Sequence, residues 1–228
     1  MVKLNPDVIV FDMDGVLLDV SESYRETVQQ TIQHFTGRRI SREEIQEYKN
    51  RGGFNNDWLI CHTHCTNAGV EVPYREVVDY FNHLFFEEGL INRERWLPKP
   101  GFVEALAARY DLAIFTGRNM LEAITTLDRE GCRHHFLLVT QDDVENEKPH
   151  PEGLHKIAAR HPGKELLYIG DTVDDARAGR AAGVTFIGIA GHENPNQEVL
   201  ARLLTAEGAV AVLDNINQLE DVLCAPRP

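Results

Sequence analysis

Hydrophobic and polar residues follow two different rhythms along the chain. The apolar run Val8–Phe11 predicts a short buried strand that ends at Asp12. From about residue 21 to residue 88 the apolar side chains recur at helical spacing, as Tyr24, Val28 and Ile32 do. After residue 98 helical stretches alternate with short apolar runs, which predicts helices alternating with strands.

The second rhythm predicts a sheet. Helices are expected at 101–109, 119–130, 151–161, 173–182 and near 196–206, and strands at 112–115, 136–139, 166–169, 184–189 and 209–213. This order is typical of an α/β fold, a Rossmann-like parallel sheet with helices on both faces, and strand 8–11 has to join that sheet. We therefore predict a catalytic core from residues 1–19 and 97–228, with residues 20–96 inserted as an all-α cap domain.

Composition narrows the choice of partners. The 228 residues carry a formal net charge of −13, which argues against nucleic acid as a partner because its phosphates are bound by clustered cations. No apolar run is long enough for a membrane span or a signal peptide, and four scattered cysteines do not make a disulfide framework. We expect a cytoplasmic protein, with monomer and homodimer both left open.

The candidate chemistry follows the predicted strands. In open parallel sheets, ligands bind beyond the carboxyl ends of the strands, so the residues at these positions are candidates for the site. They are Asp12, Asp14 and Gly15 after the first strand, Thr116, Gly117 and Arg118 after strand 112–115, Lys148 in a later loop, and Asp171, Asp174 and Asp175 after strand 166–169. Several carboxylates and one lysine would therefore meet at one edge of the sheet.

Such a set of carboxylates implies a cation, since packed negative charges repel one another. Oxygen ligands of this kind suit Mg²⁺, which is bound by one or two carboxylates together with waters and a substrate phosphate. A carboxylate that closes a strand, as Asp12 does, is well placed to attack phosphorus, and Asp14 is near enough to move the proton. Thr116 and Lys148 would then stabilise the transferred phosphoryl group, with the amides at Gly15 and Gly117.

Four segments resemble the motifs of the haloacid dehalogenase superfamily, in order and at suitable spacing. They are VIVFDMDGVLL at 8–18, IFTGR at 114–118, EKPHP at 147–151 and YIGDTVDD at 168–175. The helical insert is similar to the α-helical cap of subfamily IA, as in phosphoglycolate phosphatase-like enzymes. The resemblance implies that Asp12 is the nucleophile and a metal ligand, and that Asp14 is the acid/base, with its main-chain carbonyl on Mg²⁺. It implies that Thr116 and Lys148 bind phosphate. It also implies that Asp171 binds the metal and that Asp175 supports the metal through water or Lys148.

Two features add to the resemblance: motif two departs from the family pattern, and the helical insert contains basic residues that are candidates for substrate binding. Many subfamily members have asparagine after the motif-two hydroxyl residue, whereas this chain has Gly117 followed by Arg118, which would either contact substrate or start the next helix. In caps of the subfamily that this insert resembles, a loop with basic and glycine residues reaches the active site, and the resemblance implies that residues 49–58 form that loop here. Arg51 is the first candidate there for binding the non-transferred part of the substrate and Lys49 the second, with Asn55, Asn56 and Trp58 as further candidates.

The predicted function is a Mg²⁺-dependent phosphatase that hydrolyses a small phosphorylated metabolite through an aspartyl-phosphate on Asp12. A phosphomutase would share every core residue, and the sequence does not separate the two. A third hypothesis is a phospho-accepting receiver domain, which is not an enzyme, and the long insert after Asp14 argues against it. A zinc site at Cys61–Cys65 is disfavoured, because the four candidate ligands do not converge on one face of a helix.

Overall fold

A computed structural model describes residues 3–224, so the two termini of the predicted core, residues 1–2 and 225–228, lie outside the described residues. Its main sheet has six parallel strands, which are β1 Val8–Phe11, β4 Asp111–Phe115, β5 Phe136–Val139, β6 Leu166–Gly170, β7 Thr185–Ile189 and β8 Ala211–Leu213. Across the sheet they lie in the order β5-β4-β1-β6-β7-β8. The predicted α/β class and parallel sheet are confirmed.

Strand β1 lies in the middle of this sheet, between β4 and β6. Phe11 is in register with Ile114 on one side and Ile169 on the other, so the three strands end at the same edge. Alternate residues of β1 face opposite sides, with Ile9 in one hydrophobic cluster and Val10 in the other. Both faces are buried, which explains why β1 reads as a continuous apolar run.

Helices of the core connect and cover the strands. They are α5 Phe102–Ala107, α6 Met120–Arg129, α7 Glu152–Arg160, α8 Val173–Ala182, α9 Gln197–Ala206 and α10 Leu219–Val222. Helices α6 and α8 each begin at a capping box, Asn119 with Glu122 and Thr172 with Asp175, in which each side chain satisfies the backbone N–H of the other residue. Helix α6 begins shortly after the end of β4, and helix α8 begins shortly after the end of β6.

The stretch between β1 and β4 is mainly helical. It contains α1 Tyr24–Thr36, α2 Arg42–Arg51, α3 Asp57–Asn67 and α4 Tyr74–Asn82, followed by a π-helical turn, His83–Glu87, and a 3₁₀ turn, Leu90–Arg93. The apolar stripe of α1 is buried, and the capping box of Ser41 with Glu44 opens α2 as the spacing indicates. Its apolar side chains belong to the same hydrophobic cluster as Ile9 and Phe11, so this stretch packs on one side of the sheet.

A small feature that the hydrophobic pattern did not predict joins the two ends of the helical stretch. Leu18–Asp19, which we name β2, pairs in antiparallel fashion with Arg95–Trp96, which we name β3. The ion pair of Asp19 with Arg95, 2.7 Å, reinforces the ladder. The division into core and cap at 20–96 stays a prediction. Among residues 3–224, no helix combines the length and the apolar character needed to span a bilayer.

Candidate active site

The carboxyl ends of β1, β4 and β6 bring three predicted site residues together. Asp12 directly follows β1, Thr116 follows β4, and Asp171 follows β6. The backbone N–H of Asp12 donates to Ile169 O at 2.8 Å, which fixes the nucleophile candidate against the neighbouring strand. Because all three strands are parallel and in register, their following residues share one rim, as the sequence predicts.

Lys148 lies between two carboxylates at this rim. Its Nζ donates to Asp12 Oδ1 at 2.9 Å and to Asp175 Oδ1 at 2.7 Å. All three side chains are almost completely buried. Burial alone would lower the pKa of Lys148, but the charges of Asp12 and Asp175 raise it above its ordinary value, so the ammonium stays charged. The loop at 148 therefore delivers a permanent positive charge to the nucleophile candidate.

Asp175 and its neighbour Asp174 accept hydrogen bonds from different parts of the chain. Asp175 also accepts from Thr172, at 2.6 Å from the hydroxyl and 3.0 Å from the amide, and from the Tyr168 hydroxyl. Both oxygens of Asp174 instead accept from the backbone N–H of Gly53, at 2.8 Å each. The structure thus directs Asp175 to the carboxylate cluster and Asp174 to the loop of the helical stretch.

Three of the carboxylates form a group able to hold a metal ion. Oxygens of Asp12, Asp171 and Asp175 all lie within 4.8 Å of one another. Burial, followed by the neighbouring negative charges, raises the pKa of Asp171 well above its usual range. Burial likewise raises the pKa of Asp12 to about 7, although Lys148 opposes the shift. Such a buried set of hard oxygen donors with excess negative charge fits a divalent cation.

Gly15 leaves room for this group. Its φ is +73°, and a Cβ built there would lie 2.0 Å from Asp171 Oδ2. Glycine alone combines the left-handed backbone with the absence of a side chain at that point. The turn after β1 therefore approaches the Asp171 carboxylate as closely as it does because position 15 has no Cβ.

Asp14 does not join the carboxylate cluster through its side chain. It pairs with Arg118, whose Nε donates to Asp14 Oδ1 at 2.9 Å. Arg118 in turn lies 2.6 Å from Glu94 Oε1, donates to the Thr126 hydroxyl at 3.0 Å and stacks over the Tyr24 ring at 4.8 Å. The Arg118 side chain is only 1% exposed and holds Asp14 in a buried ion pair. It does not start the next helix, which begins at Met120 with Asn119 as its cap.

A cleft of about 520 Å³, part of it open solvent, lies between the rim and the helical stretch. Asp12, Asp14, Gly117, Arg118 and Asp171 line it from the core, as the sequence predicts. Lys49, Asn55, Asn56 and Trp58 line it from the helical stretch, and so do Tyr24, Arg25 and Asp57. A Cβ on Gly117 would lie 2.2 Å from Asn55 Nδ2, so the absence of a side chain at Gly117 leaves room for the side-chain amide of Asn55.

Of the two basic candidates on α2, Lys49 lines the cleft and Arg51 does not. Lys49 is buried and binds Asp57 Oδ1 at 2.7 Å beside the cleft. The Arg51 side chain is 64% exposed, lies over the Tyr48 ring and is 3.8 Å from Glu47. The two positions are separated by about 200° around a helix, so both cannot face the core. Since Lys49 follows the buried Ile45 by four residues, the helical period already favoured it.

Several residues of the cleft could not be predicted from the sequence. Arg25 lies beside it and pairs with Asp57 at 3.5 Å, and Glu122 borders it from the start of α6. The spacing of Asn119 and Glu122 indicates a capping box and therefore a helix start, but it gives no sign that Glu122 borders a cleft.

Comparison with known proteins identifies the family. The model of the haloacid dehalogenase-like hydrolases matches residues 6–183, which include all four motif segments. The chain therefore belongs to this family of hydrolases, as the resemblance indicates.

Curated relatives at 26–30% identity include named phosphatases. The chain is 29% identical over 187 residues to the pyrophosphatase PpaX of Bacillus pumilus, covering 80% of this chain and 82% of the relative. It is 26% identical over 229 residues to a phosphoglycolate phosphatase of Photobacterium profundum, covering 94% of both. An imidazoleglycerol-phosphate dehydratase of Phytophthora nicotianae is 30% identical over 215 residues, which are 89% of this chain but only 47% of that protein. The chain is a family hydrolase whose phosphatase-named relatives support a phosphatase.

Solved structures share the fold. A haloacid dehalogenase-like protein of unknown function from Agrobacterium tumefaciens superposes with a TM-score of 0.77 at 23% identity, covering 96% of this chain and 97% of that one. A putative beta-phosphoglucomutase from Thermotoga maritima gives 0.66 at 22% identity, with 95% and 97% covered. At this identity the likeness concerns the fold alone.

Proposed function

We propose that this protein is a Mg²⁺-dependent phosphatase that hydrolyses a small phosphorylated metabolite through an aspartyl-phosphate on Asp12. The observation that supports it most directly is the buried group of Asp12, Lys148 and Asp175 beside Asp171, at the carboxyl edge of the sheet. The phosphatase-named relatives point to the same chemistry. In this proposal residues 20–96 act as a cap that closes over the substrate and excludes water.

In the first step an oxygen of Asp12 attacks the phosphorus, and the bond from phosphorus to the leaving oxygen breaks. Asp14, held by Arg118, gives its proton to that oxygen, so the product alcohol leaves neutral. Lys148 holds Asp12 through one oxygen and offsets the negative charge around the transferred group. Thr116, which follows β4, would donate a hydrogen bond to a phosphoryl oxygen.

In the second step Asp14 takes a proton from water, whose oxygen attacks the phosphorus of the acyl phosphate. The bond between phosphorus and Asp12 breaks, which releases inorganic phosphate and restores the carboxylate. The carboxylates of Asp12, Asp171 and Asp175, with the main-chain carbonyl of Asp14, would hold Mg²⁺. When bound, the ion neutralises the phosphate oxygens and the carboxylate cluster.

The test compares the wild type with Asp12→Asn on p-nitrophenyl phosphate, with Mg²⁺ and with a chelator. We expect release by the wild type only with the metal, and no release by the variant at an unchanged circular dichroism spectrum. Asp128→Asn, at an exposed position, is the matched control and should retain activity. Full activity of Asp12→Asn would remove the proposed nucleophile. A product in which phosphate has moved within the substrate, without free phosphate, would favour the phosphomutase.

A further inference from the structure

The carboxylate of Asp14 is held through one of its two oxygens. Arg118 Nε donates to Asp14 Oδ1 at 2.9 Å, and Arg118 Nη2 donates to the same oxygen. Within residues 3–224 no hydrogen bond reaches the other oxygen, Oδ2. The Asp14 side chain lines the cleft and is 27% exposed, whereas the Arg118 side chain is buried. A buried cation therefore fixes one oxygen of Asp14 and leaves the second oxygen available for proton transfer.

Other side chains hold the Arg118 guanidinium in place. Its Nη2 lies 2.6 Å from Glu94 Oε1, where the two atoms form an ion pair but not an aligned hydrogen bond. Its Nη1 donates to the Thr126 hydroxyl at 3.0 Å, and the Tyr24 ring lies against the guanidinium, with 4.8 Å between Cζ and the ring centroid. Because the guanidinium is a rigid planar fork, these contacts also fix the direction in which Nε and Nη2 point toward Asp14.

Glu94 is the anion of this group that takes no part in the reaction. Its Oε2 accepts from the Thr126 hydroxyl at 2.7 Å and from Arg129 Nη2 at 2.8 Å, and its side chain is fully buried. In the proposed mechanism Asp14 alternates between a neutral and a charged form, so it cannot be a constant partner for a buried cation. Glu94 keeps its charge throughout, and Arg118 therefore stays paired when Asp14 carries the proton.

We propose that Glu94 is a positioning residue for Asp14. Through Arg118 it fixes Asp14 Oδ1, and Oδ2 is the oxygen that gives its proton to the leaving oxygen and later takes one from water. Glu94 directly precedes β3, so the end of the helical stretch determines the position of a side chain that follows β1. The inference rests on the proposed phosphatase function and adds a residue that acts without touching the substrate.

The experiment compares p-nitrophenyl phosphate with p-methoxyphenyl phosphate, on the full chain with Mg²⁺. The two esters are similar in size, but p-nitrophenolate is a weak base that leaves without a proton, whereas p-methoxyphenolate is a stronger base and requires one. For each ester kcat/KM reports the steps up to departure of the leaving group. The ratio of the two values therefore measures proton donation, and Asp14→Asn gives the ratio without the donor.

We expect Glu94→Gln to lower kcat/KM at least tenfold for p-methoxyphenyl phosphate and less than threefold for p-nitrophenyl phosphate, since a positioned acid contributes about 10²–10⁴-fold. A role in stability alone would lower both values equally, and that result overturns the inference. The matched control is Glu130→Gln, because Glu130 also pairs with Arg129, at 3.1 Å. It should leave the ratio unchanged, and an equal change in this control overturns the inference too.

Thr126→Val decides the question should Glu94→Gln not fold. It removes the hydroxyl that accepts from Arg118 Nη1 and donates to Glu94 Oε2, with little change of shape. We expect the ratio to move in the same direction, by at least threefold. An unchanged ratio in this variant would remove the network from the positioning of Asp14.

These outcomes separate from a failure of the proposed function. No release from either ester by the wild type would overturn the phosphatase itself. Release from both esters, with the same ratio in the wild type and in Glu94→Gln, would retain the phosphatase and overturn only the role of Glu94. A ratio in Asp14→Asn equal to that of the wild type would show that Asp14 gives no proton to the leaving group, which also overturns the inference.

Discussion

Replacing Arg118 by methionine would remove a buried charge that joins Asp14 to Glu94. The guanidinium is 1% exposed, and the side chain of Glu94 is fully buried. Breaking a buried ion pair typically costs about 3–5 kcal/mol of folding free energy, because the remaining charge is left in a poorly solvated place. Glu94 keeps Arg129 at 2.8 Å and the Thr126 hydroxyl at 2.7 Å, so we expect a loss near the lower end, about 3 kcal/mol.

Urea unfolding, followed by circular dichroism, measures this loss. The matched control is Arg133→Met, because Arg133 is half exposed and lies 3.4 Å from Asp128 at the surface. Surface pairs of this kind contribute roughly 0–1 kcal/mol, so the control should change the unfolding free energy little. Adding Glu94→Gln to Arg118→Met removes the stranded carboxylate, and the double variant should be less destabilised than the sum of the single variants by about 1–3 kcal/mol.

Strict additivity of the two substitutions would refute the reasoning, since it would mean that Arg118 and Glu94 do not stabilise each other. Activity gives an independent readout. Because Arg118 orients Asp14, we expect kcat on p-nitrophenyl phosphate to fall at least tenfold in Arg118→Met, as a positioned acid/base contributes about 10²–10⁴-fold. A variant with unchanged kcat would show that Asp14 needs no such partner.

Three further outcomes are expected. Gly15→Ala should lose activity at least a hundredfold and weaken Mg²⁺ binding in calorimetry, because its Cβ would meet Asp171 Oδ2 at 2.0 Å; normal binding would contradict this contact. Asp174→Ala removes both acceptors of the Gly53 amide, so that amide should exchange faster in hydrogen-exchange measurements, and unchanged protection would argue against the contact. Burial raises the pKa of Glu122 to about 7, above its value in the unfolded chain, so its contribution to stability is present at low pH and is lost as the pH rises through 7. Relative to Glu122→Gln, the wild type should therefore lose on the order of 1 kcal/mol per pH unit between pH 5 and 7, and parallel curves would contradict the shift.

Much of the core could be predicted from the sequence because each of its strands corresponds to a short, continuous apolar run. Strand 8–11 and strand 136–139 were predicted with the bounds that the structure gives them, since each is a short apolar run that ends abruptly. Parallel strands share an edge, so the meeting of Asp12 and Asp171 also followed from the sequence alone. In these places the local pattern and the tertiary structure agree.

The residues that line the cleft were harder to predict, because they depend on how the helical stretch packs on the sheet. Arg25 lies on a helix with its own apolar stripe, and nothing in the sequence shows which of its polar neighbours faces the core. The buried network of Arg118 and Glu94 joins residues that are far apart in the chain and belong to different elements. The short ladder of β2 with β3 has two residues a side, too few for a hydrophobic alternation to be recognised.

That ladder has a consequence for how the enzyme family can diversify. Since Leu18 and Trp96 are direct partners, the chain departs from the core and comes back to it at neighbouring points. An insertion with adjacent ends places little demand on its host, whatever its length or internal structure. The helical stretch could therefore be exchanged for a different module during evolution, or by an engineer, with the sheet and its carboxylates left in register. Selectivity would then change independently of the reaction.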